Sequence, residues 1–136
     1  MRRTILFVDD ELINLFVLEK RFEGDYNVIT AESGEEALEK IQLNKGSLDA
    51  IITDLKMPGM DGIEVLEKLQ GINPDIPVIM ISGHGTIETA VESLKLGAYD
   101  YISKPPDLNR LLVAVRNALD RKSLVKETQQ LKKKVS

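Results

Sequence analysis

Cysteine is absent from the 136 residues, and histidine occurs once. Without thiols there can be no disulfide, thiolate metal site or thiol nucleophile, and one histidine cannot build a multi-histidine metal centre. No apolar run approaches the roughly 18 residues that suggest a membrane span. The first apolar stretch, Ile5 to Val8, ends in two aspartates and is too short for a signal peptide. A cytoplasmic location and no membrane partner are therefore expected. No glycine-rich segment ends in Lys-Ser or Lys-Thr, which excludes a P-loop nucleotide site. Internal repeats and low-complexity segments are also missing.

What is present suits one folded domain of common size, with 43% hydrophobic and 29% charged residues. The net charge of −4 is unevenly placed. Residues 121–136 carry Arg121, Lys122, Lys126, Lys132, Lys133 and Lys134 against Glu127, so the preceding body is strongly acidic. An acidic body is a poor nucleic-acid platform, and the basic tail reads as a solvated helix face; no direct nucleic-acid binding by this segment is expected. In the tail Leu124, Thr128, Leu131 and Val135 make a short two-heptad seam. The expected organisation is a folded domain over residues 1–120, then a helical extension or linker over 121–136 toward an output domain outside this chain. The seam or the fourth-helix face would also allow a homodimer.

Short apolar runs alternate with amphipathic stretches of helical period, a βα pattern. Strands are predicted at Thr4–Asp9, Asn27–Thr30, Asp49–Asp54, Pro77–Ser82 and Tyr99–Ser103, with helices at Glu11–Phe22, Gly34–Leu43, Gly62–Leu69, Thr86–Leu96 and from Asp107 onward. The strands are mostly continuous in apolar content rather than alternating, as in a parallel sheet covered on both faces. Ser33 and Glu36 fit a capping box opening the second helix. Asn73-Pro74 and Ile76-Pro77 mark the turn into the fourth strand, and Gly97 fits a left-handed helix cap.

In open parallel α/β sheets, ligands bind beyond the carboxyl ends of the strands. The polar residues at those ends are Asp9 and Asp10, Asp54, Ser82 and Lys104. If the first and third strands are neighbours, as in a flavodoxin-like order, three carboxylates crowd together. Their mutual repulsion and burial are costly without a cation. Mg²⁺, a hard ion that takes one or two carboxylates and keeps several waters, resolves it. Asp54 is then placed to attack a phosphoryl group and form an aspartyl phosphate. Ser82, Lys104 and the metal would each serve one equatorial oxygen.

Four segments carry a resemblance: Phe7-Val8-Asp9-Asp10-Glu11, Thr53 to Gly62 (TDLKMPGMDG), Ser82-Gly83-His84-Gly85, and Gly97 to Pro105 (GAYDYISKP). Over about residues 4–120 the sequence resembles bacterial response-regulator receiver domains. The resemblance implies a doubly wound, five-stranded parallel CheY-like sheet in the order 2-1-3-4-5. It implies phosphorylation of Asp54 by a partner sensor histidine kinase, and Mg²⁺ at Asp9, Asp10, Asp54 and the backbone carbonyl of Lys56. Ser82 and Tyr101 take switch roles, changing the surface of the fourth helix, fifth strand and fifth helix, and the Lys104–Pro105 bond is often cis. The segments Ser82 to Val91 (SGHGTIETAV) and Leu96 to Tyr101 look like receivers of NtrC-like transcription activators, whose next domain is an AAA+ ATPase. Pro106 departs from the family's usual phenylalanine.

Other readings compete. A phosphatase or phosphotransferase of the haloacid-dehalogenase kind would place a second aspartate two residues after the nucleophile, where Lys56 stands. The expectation is therefore a switch rather than an enzyme, with a stand-alone or pseudo-receiver acting through protein contact as the alternative. His84 reads as a loop residue, although His84 and Lys56 could edge the site and set the lifetime of the phosphoryl group.

Overall fold

Asparagine and proline at Asn73-Pro74, a left-handed glycine at Gly97 (φ +111°) and the cap at Ser33 divide the chain where the sequence suggests. The computed structural model describes residues 2–44, 46–83 and 87–135, with side chains to Arg121. In order these form β1 (Thr4–Val8), α1 (Leu12–Phe22), β2 (Asn27–Ala31), α2 (Gly34–Leu43), β3 (Ala50–Asp54), α3 (Gly62–Ile72), β4 (Val78–Ser82), α4 (Ile87–Lys95), β5 (Asp100–Ser103) and α5 (Leu108–Val135). The five strands are parallel in the order β2-β1-β3-β4-β5.

Alternate strand residues feed two cores. Leu6, Val8, Ile51 and Met80 face α2 and α3, meeting Ile41, Leu66 and Leu69. Ile5, Phe7, Ile52 and Ile79 face the other way, meeting Leu15, Leu18 and Phe22 of α1 and Leu111, Val115 and Leu119 of α5. Both faces of β3 and β4 are thus covered, and every residue in these strands is buried. This explains their unbroken apolar runs. Phe7 and Phe22 tilt against each other with ring centres 5.1 Å apart, joining β1 to the end of α1.

Ser33 accepts a hydrogen bond from the Glu36 backbone N–H at 3.1 Å, and the Glu36 carboxylate accepts from the Glu32 N–H at 3.1 Å. The box therefore closes one residue earlier than the standard pattern, which would use the Ser33 N–H. Most boundaries that move do so by one residue, and the end of α3 moves by three. The β1 ladder ends at Val8, leaving Asp9 just beyond it, although its N–H still donates to the Ala31 carbonyl at 3.1 Å. Helix α3 continues past Leu69 to Ile72, because Gly71 is tolerated within it and Pro74 is what stops it. Thr86, the expected first residue of the fourth helix, lies outside the described residues, as do the side chains of the tail heptads.

Candidate functional site

Register brings the acidic residues together. Val8 lies opposite Thr53, so the chain leaves β1 and β3 side by side, with Asp9 and Asp54 at adjacent strand ends. Carboxylate oxygens of Asp9, Asp10 and Asp54 lie within 4.8 Å of one another. Asp9 and Asp54 are only 4% and 7% exposed, while Asp10 faces solvent. Such a set of hard oxygen donors, two buried and one open to water, fits a divalent cation that retains part of its hydration shell.

Lys104 follows β5 and reaches back across β4. Its ammonium lies 3.2 Å from Asp9 Oδ2 and 3.1 Å from Asp54 Oδ2, and the bond to Pro105 is cis, as the resemblance implies. One cation is therefore shared between two anions, and the two sides gain unequally. Burial pushes the Asp54 carboxyl above its ordinary value; Lys104 and the Lys56 backbone N–H pull it down, Asp9 pushes it further up, and the net direction is upward. Burial alone would lower the Lys104 ammonium, but its bonds to Asp54 and Asp9 and their charges together hold it above the ordinary lysine value. The shared ammonium and the Lys56 N–H thus offset the burial of Asp54 only in part.

The remaining residues surround this centre. Ser82 is buried at the end of β4 and pairs with Ser103; its carbonyl accepts the Lys104 backbone N–H at 2.9 Å. Tyr101 lies opposite Met80, two residues before Ser82, and its ring packs on the α2–α3 side core. Tyr101 and Ser82 thus share one face of the sheet. The Tyr101 hydroxyl is buried with no hydrogen-bond partner among the described residues. Lys56 is exposed beside Asp54, and His84 lies outside the described residues.

Two contacts were not read from the sequence. Asn14 on α1 donates from its amide to Asp9 Oδ2 at 3.1 Å. Glu35 at the start of α2 accepts the Met60 N–H at 3.2 Å, tying down the loop that follows Asp54. A signal for Asn14 was present, since a polar residue in the first turn of α1 lies near the strand end that feeds it. Glu35 offered none beyond its charge in the first turn of a helix.

Comparison with known proteins agrees with this geometry. Residues 5–116 match the response regulator receiver domain. The transcriptional regulatory protein ZraR of Escherichia coli is 40% identical over 116 residues, which is 85% of this chain and 26% of ZraR. The nitrogen assimilation regulatory protein NtrX of Azorhizobium caulinodans is 40% identical over 135 residues, 97% of this chain and 29% of that protein. This chain thus spans about a quarter to three tenths of the length of these relatives. Among solved structures, a receiver domain protein of Clostridium thermocellum superposes with a TM-score of 0.87 at 37% identity, covering 90% of this chain and 98% of that one. The ADP complex of NtrX from Brucella abortus superposes with a TM-score of 0.85 at 33% identity, covering 98% of this chain and 30% of that one. Among the described residues no helix is long and apolar enough to cross a membrane. Receiver domains bind Mg²⁺ at an acidic pocket, and Asp9, Asp10 and Asp54 form such a group here. With its fold, its acidic cluster and most of its length matched, the chain belongs to the receiver domains of two-component response regulators, whose general function is that of a phosphorylation-dependent switch.

Proposed function

We propose that Asp54 accepts a phosphoryl group from the phosphohistidine of a sensor histidine kinase, with Mg²⁺ held by Asp9, Asp10, Asp54 and the backbone carbonyl of Lys56. The observation that carries this reading is the single ammonium of Lys104 set between Asp9 and Asp54, at 3.2 and 3.1 Å, in a cluster with a third carboxylate. When bound, the metal supplies charge neutralisation for the carboxylates and the incoming phosphoryl oxygens. An Asp54 oxygen forms the new P–O bond as the P–N bond to the donor histidine breaks, and the electron pair leaves with the imidazole. Lys104, already shared between two acceptors, turns to a phosphoryl oxygen, and the buried Ser82 hydroxyl donates to another.

Loss of Lys104 and Ser82 from their resting contacts is the event that the rest of the fold can read. Movement of Ser82 opens space on the face it shares with Tyr101, whose buried hydroxyl has no hydrogen-bond partner among the described residues to hold the ring in place. The changing surface is α4, β5 and α5. The matched relatives are regulatory proteins of which this chain spans under a third, which supports an output domain, an AAA+ ATPase with a DNA-binding segment, in the whole protein. On this reading the segment is a cytoplasmic switch with no catalytic turnover of its own on small molecules. It contacts no nucleic acid directly, and a homodimer through α4 or the tail is one form of its output.

Incubation with acetyl phosphate tests the chemistry. Covalent labelling is expected with Mg²⁺ and not with a chelator, and labelling that ignores the chelator would defeat the metal assignment. Lys104→Ala separates chemistry from signalling. Mg²⁺ binding should persist, while the amide NMR shifts that beryllium fluoride with Mg²⁺ produces in α4 and β5 of the parent should shrink severalfold. Shifts of equal size in parent and variant would remove Lys104 from the relay.

A further inference from the structure

Asp9 takes three donors. The Glu11 N–H reaches Oδ1 at 2.9 Å, and the Asn14 amide and the Lys104 ammonium share Oδ2 at 3.1 and 3.2 Å. Two of these bonds have other reasons to exist. Glu11, the N-cap of α1, makes no side-chain cap bond, and Asp9 accepts its N–H at the helix start. Lys104 bridges to Asp54. The Asn14 bond has no such second use. Asparagine ranks low among helix formers, so helix stability does not call for it at the third residue of α1. Its backbone is fixed by an N–H bond to the Glu11 carbonyl at 3.1 Å, and its half-buried side chain is spent on the carboxylate.

We propose that Asn14 is a positioning residue for the metal site, holding the Asp9 carboxylate in orientation independently of Lys104. The proposal rests on the reading that Asp9 is a metal ligand and that Lys104 leaves it for the phosphoryl group. At that moment Oδ2 would lose one of its two donors inside a pocket where Asp9 is 4% exposed. A buried carboxylate left with only its Oδ1 bond is free to turn about its terminal torsion, which is a broad one. The amide of Asn14 prevents this, and it does so on an oxygen that the departing ammonium vacates. Partners of this kind, which bond a metal ligand rather than the metal, typically govern 10–100-fold of affinity.

The test uses the whole chain and Mg²⁺ alone, titrated by calorimetry. Asn14→Leu removes the amide at similar volume, and Asn14→Ser removes it with a side chain too short to reach. In both, the Mg²⁺ dissociation constant should rise about tenfold, the lower end of that range because Asn14 is one of three donors. The Mg²⁺ concentration for half-maximal acetyl phosphate labelling should move by the same factor, more than the maximal rate does. Asn14→Gln, with a longer amide, should recover part of the loss. A lowered melting temperature with the parent's Mg²⁺ affinity in both Leu and Ser variants would make Asn14 merely structural and overturn the proposal. A parent chain that neither binds Mg²⁺ nor labels would instead overturn the phosphoacceptor reading beneath it.

Discussion

Asp54→Asn should abolish acetyl phosphate labelling and, without metal at neutral pH, raise the melting temperature by several degrees. The first effect follows from loss of the nucleophilic oxygen. The second follows from the cost of holding a buried anion beside Asp9, which the shared ammonium and the Lys56 backbone N–H offset only in part. A carboxyl whose folded value is raised gives its most favourable contribution below the unfolded value, where it is protonated in both states. That contribution falls as pH climbs through the window up to the raised value, and stays low above it. The advantage of Asp54→Asn over the parent should therefore be largest near neutrality and shrink toward zero as pH drops below the carboxylate range. Lys104 does not disturb this window, because its contribution is fully present below the ordinary lysine value and is lost only in alkali as pH passes its raised value. Thermal melts of both proteins in chelator across pH would check it. An advantage that is absent, or that does not change with pH, would show that Asp54 is not strained in the resting fold. Mg²⁺ should reverse the order, stabilising the parent more than the variant.

Gly62→Ala should be among the most damaging single-methyl changes in the chain, although it adds a good helix former to the start of α3. A Cβ there would lie 2.6 Å from the backbone oxygen of Asp54, 3.1 Å from Leu55 Cα and 3.1 Å from Met80 Sδ. The nearest of these belongs to the backbone of β3, which is buried throughout and cannot yield locally. Either α3 lifts away, breaking the 2.9 Å bond from the Gly62 N–H to the Leu55 carbonyl, or the end of β3 moves and carries Asp54 with it. Overpacking of this kind costs about 1–3 kcal/mol. Slower labelling should accompany the loss of stability, since the atom struck belongs to Asp54, the proposed phosphoacceptor. Gly71→Ala, in the same helix with nothing within 4 Å of the added carbon, is the matched control. It should stabilise by roughly 0.5–1 kcal/mol. Denaturant melts of the pair decide the matter, and similar behaviour of the two variants would refute the close approach at Gly62.

Much of the site was legible because it depends on backbone order. Asp9, Asp54, Ser82 and Lys104 each sit at or just beyond the end of an apolar run, and a parallel sheet sends all such ends to one edge. Crowding of like charge then implied a cation before any distance was known. What stayed hidden depends on side-chain reach and loop path. Nothing in the order of residues says that Lys104 would divide itself between Asp9 and Asp54, that Asn14 would spend its amide on Asp9, or that Glu35 would hold Met60. The end of β1 at Val8 was missed for a related reason: Asp9 keeps one sheet-like bond to Ala31 while its side chain already accepts the Glu11 N–H at the start of α1. Gly62 gave no warning either, since a glycine after Asp61 looks like a turn residue until β3 is seen beneath it.

Crowded carboxylates at one edge of the sheet should make Asp54, and no neighbour, the covalent acceptor. Borohydride reduction of the acetyl phosphate-treated protein, followed by peptide mass spectrometry, reads the acceptor directly. Conversion of Asp54 alone, dependent on Mg²⁺, is the expected result. Conversion at Asp9 or Asp10, or an unmodified Asp54 in protein that carries label, would contradict it.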